Sequence, residues 1–134
     1  MAQVDAKTTT WRNAVYAAKF QNAPVPAVPA IYLALFTADP TAAGDLTNEA
    51  TYTGYARQAM TVTNPTDGAG ANAADVLFPE CTANGQTISH VGIMDDPTAG
   101  AGIMIDHIAL NVPVPVTIGQ SPLLPAGAGA LAEK

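Results

Sequence analysis

The sequence predicts an all-β protein: a single β-sandwich, jelly-roll-like in kind, preceded by one helix and an extended proline-rich arm. Three observations predict it. From residue 30 onward, short apolar runs are separated by clusters of Gly, Pro, Asp and Asn, the punctuation of strands and turns. Helical periodicity is confined to a short stretch near the N-terminus. Between the two regions, Pro24, Pro26 and Pro29 lie in a run that fixes φ and removes amide donors, which gives an extended connector. With 134 residues, the chain is long enough for one domain. The expected division is an arm over residues 1–29 and a sandwich over 30–134.

The elements follow in order. Residues 10–21 read as the helix, with Thr8, Thr9 or Thr10 supplying the capping hydroxyl. Trp11, Ala14, Val15 and Ala18 fall on one face, Tyr16 and Phe20 on roughly the opposite one. A helix apolar on two faces is expected to be covered twice, once by its own domain and once by a partner. Residues 31–36, Ile-Tyr-Leu-Ala-Leu-Phe, are apolar on both faces and read as a central strand. A polar loop follows to Asn48. Residues 55–62 alternate, with Ala56, Met60 and Val62 expected inward, and residues 64–72 read as a turn. Short strands are expected at 76–78, at 88–94 with Val91 and Ile93 on one side, and at 103–110. Pro113 and Pro115 confine residues 114–118 to an edge or connector. The tail from Pro122 is rich in Pro, Gly and Ala and carries no strand expectation.

Charge narrows the function classes. The net charge is −6, and only 12% of residues are charged against roughly a quarter in ordinary globular proteins. Of the five basic residues, Lys7, Arg12 and Lys19 lie in the arm, Arg57 in the body and Lys134 at the end. A sparsely acidic body without clustered cations argues against nucleic-acid binding. With 49% apolar residues the chain is not disordered by charge excess. No run approaches the roughly 20 apolar residues of a membrane span. The start has no signal-peptide pattern, so synthesis in a reducing cytoplasm is expected. The lone Cys81 excludes an internal disulfide and reads as a buried thiol.

Candidate chemistry is thin. Ser89 and His90 could suggest nucleophilic catalysis, but neighbours on a regular strand face opposite ways, so Ser89 is not expected to reach the His90 ring. His107 has no nucleophile motif beside it. Asp95 and Asp96 with Asp45 and Glu49 lack a calcium-loop spacing and read as turn-capping residues. Gly68 and Gly70 follow no nucleotide-binding pattern. Arg57, beside Tyr55, suits either an interface ion pair or an internal salt bridge. No catalytic, metal or cofactor-binding residue is expected, and no enzyme activity.

The run Tyr32-Leu33-Ala34-Leu35-Phe36-Thr37-Ala38-Asp39-Pro40-Thr41, the acidic loop of Asp45 to Glu49 and Gly54-Tyr55-Ala56-Arg57 stand in a fixed order. Phe78-Pro79, Ile88-Ser89-His90-Val91-Gly92-Ile93 and Gly119-Gln120-Ser121-Pro122 follow. Together they resemble a family of small virion proteins of tailed bacteriophages, many of them labelled tail fibre-like and similar to head decoration or cement proteins. The resemblance covers roughly residues 11–131 and implies no activity and no cofactor. It implies a structural subunit of a virion, first of all a capsid cement or decoration subunit bridging shell subunits. A tail fibre or adaptor subunit is the alternative. A carbohydrate-binding module for host surfaces, using Tyr52 and Tyr55, is a reading of another class. The expected partners are the major capsid protein or another virion structural protein and further copies of the chain, with no nucleic acid and no membrane. The docking residues expected are Lys7, Trp11, Arg12, Tyr16, Phe20 and Arg57. Arginine and aromatic anchors of this kind are typical of interface centres.

Overall fold

The computed structural model describes residues 5–24, 30–67 and 69–132. Its strands are β1 (Asp5–Lys7), β2 (Ile31–Phe36), β3 (Gln58–Met60), β4 (Ala69–Ala71), β5 (Val76–Leu77), β6 (Gln86–Met94), β7 (Met104–Val116), β8 (Leu123–Leu124) and β9 (Ala130–Ala132). One helix, α1 (Thr9–Phe20), follows β1. The fold is all-β with an N-terminal helix. A five-stranded antiparallel sheet of order β1-β7-β6-β2-β3 forms one layer, and the ribbons β4-β9 and β5-β8 are each two-stranded.

Strand alternation sorts the large sheet into two faces. In register, Leu33 pairs with Ile93, Leu35 with Val91, and Val91 with Ile108. These side chains share one face and pack in the main core with Val76, Phe78, Cys81, Tyr52 and Val116. The opposite face carries Ala34, Phe36, Met94 and Met104, roofed in part by Tyr32 and Leu46. Gly92 lies on that second face for steric reasons. A Cβ there would stand 2.8 Å from the Phe36 ring and 2.9 Å from the Met104 methyl. A strand buried on both sides must be apolar at every position, which explains the unbroken Ile31–Phe36 run.

The sequence did not mark β1, β4, β8 or β9. Each is three residues or fewer and is assembled by its partner. β1 pairs with Asp106–Ile108 of β7, so the start of the arm belongs to the main sheet. The tail is held by its own chain. Asn72, 1% exposed, donates to the carbonyls of Ala74 and Pro125 and accepts from Gly129 N–H. Residues 25–29, most of the expected proline connector, lie outside the described residues. The segments expected at 103–110 and 114–118 are largely merged in the single strand β7, which leaves out Ile103, Thr117 and Ile118. Its ladder to β6 skips residues between Ala109 and Val114, the irregularity that accommodates Pro113. Ala56 and Val62 are exposed rather than inward, because only Gln58–Met60 pairs as a strand.

Candidate docking surface

The first residues of the arm are anchored. Thr8 is the N-cap of α1 and is buried. Its hydroxyl donates to Met104 O at 2.6 Å and accepts from Trp11 N–H at 3.4 Å. Its amide donates to Ile105 O, and the Thr9 amide to Ala42 O. Lys7 Nζ lies 2.6 Å from Asp106 Oδ2, with both side chains largely buried. Trp11 packs against the main core. Lys7 is therefore committed inside the domain, and Trp11 is half-buried against it.

Along the helix no residue is fully buried; Trp11, Ala14, Val15, Ala17 and Ala18 are half-buried, and the rest are exposed. Spacing of i, i+4 puts Arg12, Tyr16 and Phe20 in one stripe. Tyr16 is 57% and Phe20 67% exposed, and their rings meet in a tilted pair, 5.0 Å between centroids and 52° between planes. Lys19 Nζ sits 5.7 Å from the Phe20 ring centre. No acidic residue occurs between residues 6 and 38, so this apolar pair is flanked by cations alone. Of the expected docking residues, the structure brings Arg12, Tyr16 and Phe20 together on the surface. Such a stripe can bury two rings against an apolar partner while the cations meet acidic groups at the rim.

Arg57 does not belong to this surface. Its Nε and Nη2 donate to the Glu49 carboxylate at 2.8 and 2.7 Å. Its Nη1 donates to the carbonyls of Asp96 and Ala101, both at 2.8 Å. Glu49 also accepts from Tyr55 OH at 2.6 Å and Gly100 N–H at 2.8 Å. Burial raises the Glu49 carboxyl, but the bonds from Arg57, Tyr55 and Gly100 outweigh it and hold the group below its ordinary range. Burial and the adjacent Glu49 charge push the Tyr55 phenol well up. The guanidinium is an internal staple joining three loops, and as a docking residue Arg57 is corrected: both fork edges are used inside the domain. Tyr52 is likewise buried, its hydroxyl on Pro79 O, and Tyr55 stacks on Phe78. Neither presents a ring to a sugar.

The histidines corrected a second expectation. Ser89 Oγ lies 2.8 Å from His90 Nδ1. Ile88 and Val91 both point into the main core although three residues apart, so alternation breaks between them and Ser89 and His90 share the other face. Asp39 Oδ1 is 4.0 Å from His90 Nε2 and 3.7 Å from His107 Nδ1. At those distances the carboxylate is not hydrogen-bonded to either ring, so it does not orient His90 as a base for Ser89. Burial lowers the His107 pKa, the Asp39 charge opposing and His90 adding to it. Among the described residues, no group of His, Cys, Asp and Glu has the arrangement of a metal site. Asp95, Asp96 and Asp45 accept from the amides of Ile103, Thr98 and Thr47, the turn-capping role expected of them.

One surface feature was missed. Leu77 and Leu123 are cross-strand partners in the β5-β8 ribbon and are 59% and 52% exposed. The signal was present: Val76 and Phe78 are both buried, so alternation turns the leucine between them outward.

No curated protein matches the chain. The model of the family described as Podophage GP4 fiber I protein gp80 matches residues 6–132, nearly the whole chain from β1 to β9. The all-β fold and the motif order from Tyr32 to Pro122 lie within that match. The chain therefore belongs to this family of phage fibre-related structural proteins.

Proposed function

We propose that the protein is a non-enzymatic structural subunit of a podophage virion, built into a fibre assembly through the exposed stripe of α1. The observation that carries this reading is the exposed Tyr16–Phe20 pair on a helix whose base is locked into the sheet by Thr8 and β1. A rigid base and an unburied aromatic tip present contact area at little entropic cost. The family's description as a fiber protein supports the fibre reading over capsid cement. The partner is a virion structural protein offering an apolar surface with acidic or polar surroundings.

Removing residues 1–22 is a poor test, because it also removes β1 and the buried Lys7–Asp106 pair. The test is a phage carrying Tyr16→Ser and Phe20→Ser together. Both side chains are exposed, so the purified variant should unfold within about 0.5 kcal/mol of the parent. Truncating an aromatic anchor costs ~2 kcal/mol or more, about a 30-fold loss of affinity, and incorporation into particles should fall accordingly. Quantitative mass spectrometry of purified particles reads the copy number, and labelled electron microscopy the location. Normal occupancy of the variant would remove α1 as the dock. Hundreds of copies over the head would replace the fibre reading with capsid cement.

A further inference from the structure

The stripe on α1 has a complementary surface on the same molecule, and we infer that its partner is a second copy of this chain. The inference rests on α1 being the docking element and names what it docks on. The complement is the outer face of the β5-β8 ribbon. There Leu77 and Leu123 lie opposite each other in register, each more than half exposed. Asp75, immediately before β5, is exposed, with one carboxylate oxygen accepting from Ala126 N–H. Glu80, exposed, follows just beyond. The helix offers two rings with Arg12 and Lys19 beside them, and the ribbon offers two leucines with the exposed Asp75 and Glu80 close by in the chain. Apolar meets apolar and cation meets anion.

The acidic body explains why this pairing is preferred over other contacts between copies. At net charge −6 two copies repel. The helix is the one stretch of the described chain carrying exposed cations without acids, so it is the surface that another copy's acidic rim attracts. Pairing helix to ribbon is heterologous: each copy has one of each, and repetition yields a ring or a filament rather than a closed two-fold dimer. Two aromatic rings bury at most about 300–500 Å² on their side, below the roughly 800 Å² per partner of a stable complex. The pairwise contact is accordingly weak, and it becomes effective when copies are held near one another in a particle.

The test uses the full-length protein in sedimentation velocity over a concentration series, with two single variants. The parent should show a weight-average mass rising above 13.6 kDa at high micromolar to millimolar concentration. That rise should shrink in about 1 M salt, where the Debye length is about 3 Å. Phe20→Asp and Leu77→Asp should each stay monomeric while keeping the parent's circular dichroism. Mixed together, they should form a complex of two chains and no larger species, because each retains the surface the other lacks. A parent that is monomeric throughout, a mixture that stays monomeric, or association that survives Phe20→Asp each overturns the inference. If self-association is absent but particles still exclude the Tyr16/Phe20 variant, α1 docks on a different virion protein. In that case the proposed function stands and this inference falls.

Discussion

Replacing Arg57 by alanine should destabilise the domain more than any surface change. The guanidinium donates to Glu49 twice and to the carbonyls of Asp96 and Ala101. Its removal leaves Glu49, 6% exposed, with Tyr55 OH and Gly100 N–H as its remaining partners. Breaking one partner of a buried ion pair costs about 3–5 kcal/mol, a large share of the roughly 5–15 kcal/mol that holds a domain. The midpoint of thermal unfolding should drop by roughly 10–20 °C for a chain of this size. Urea unfolding followed by Trp11 fluorescence measures it, since Trp11 is the only tryptophan and packs on the core. The pH dependence is a second readout. In the parent, the Glu49 carboxyl is depressed in the folded state. Its stabilising contribution is therefore present above the unfolded value of about 4.3 and is lost as pH falls through the folded one. Without Arg57 the buried carboxyl takes up a proton more readily, so the cost of the substitution should be larger at neutral pH than in mild acid. The double variant Glu49→Leu with Arg57→Met should recover much of the loss, because a well-packed apolar pair leaves no unpaired charge. An Arg57→Ala protein less than about 1 kcal/mol below the parent would refute the reasoning.

Two further outcomes follow from the same geometry. His107 is depressed by burial, and its Nε2 is buried with no hydrogen-bond partner among the described residues. The unfolded chain therefore binds the proton first, and parent stability should fall as pH drops below about 6.5. His107→Leu should flatten that part of the stability–pH curve without loss of stability at pH 8; an unchanged slope in equilibrium unfolding would count against it. Thr8→Val, which keeps shape but loses the hydroxyl shared by Met104 O and Trp11 N–H, should cost about 1–2 kcal/mol. Faster amide exchange along α1 should accompany that loss, and exchange equal to the parent's would show the cap to be dispensable.

The elements legible in the sequence were those whose pattern depends on local chemistry. Ile31–Phe36 was readable because a strand buried on both faces has no polar position. The helix was readable from its period and its threonine cap, with boundaries within a residue of Thr9–Phe20. The pair Tyr16–Phe20 was readable as a free face because the helix already had Trp11, Ala14 and Val15 to offer its own domain. Val91 and Ile93 shared a face as alternation requires, and Asp96 before Pro97 capped its own turn. What tertiary structure decided was everything set by a distant partner. Lys7 became internal only because β7 brings Asp106 beside it, 99 residues away in sequence. Arg57 became a staple because the loops of Glu49 and of Asp96 to Ala101 converge on it. Ser89 came to His90 because a break in strand alternation, invisible as composition, turned both to one side. The strands of β1, β4, β8 and β9 are too short to show a period, and they exist because longer strands or Asn72 hold their partners in place. The sequence by itself determined an all-β chain with a capped, two-faced helix, since periodicity and turn chemistry act over a few residues. Only the tertiary structure decided which charges were spent inside and which were left for a partner, since ion pairs form between segments that only folding brings together.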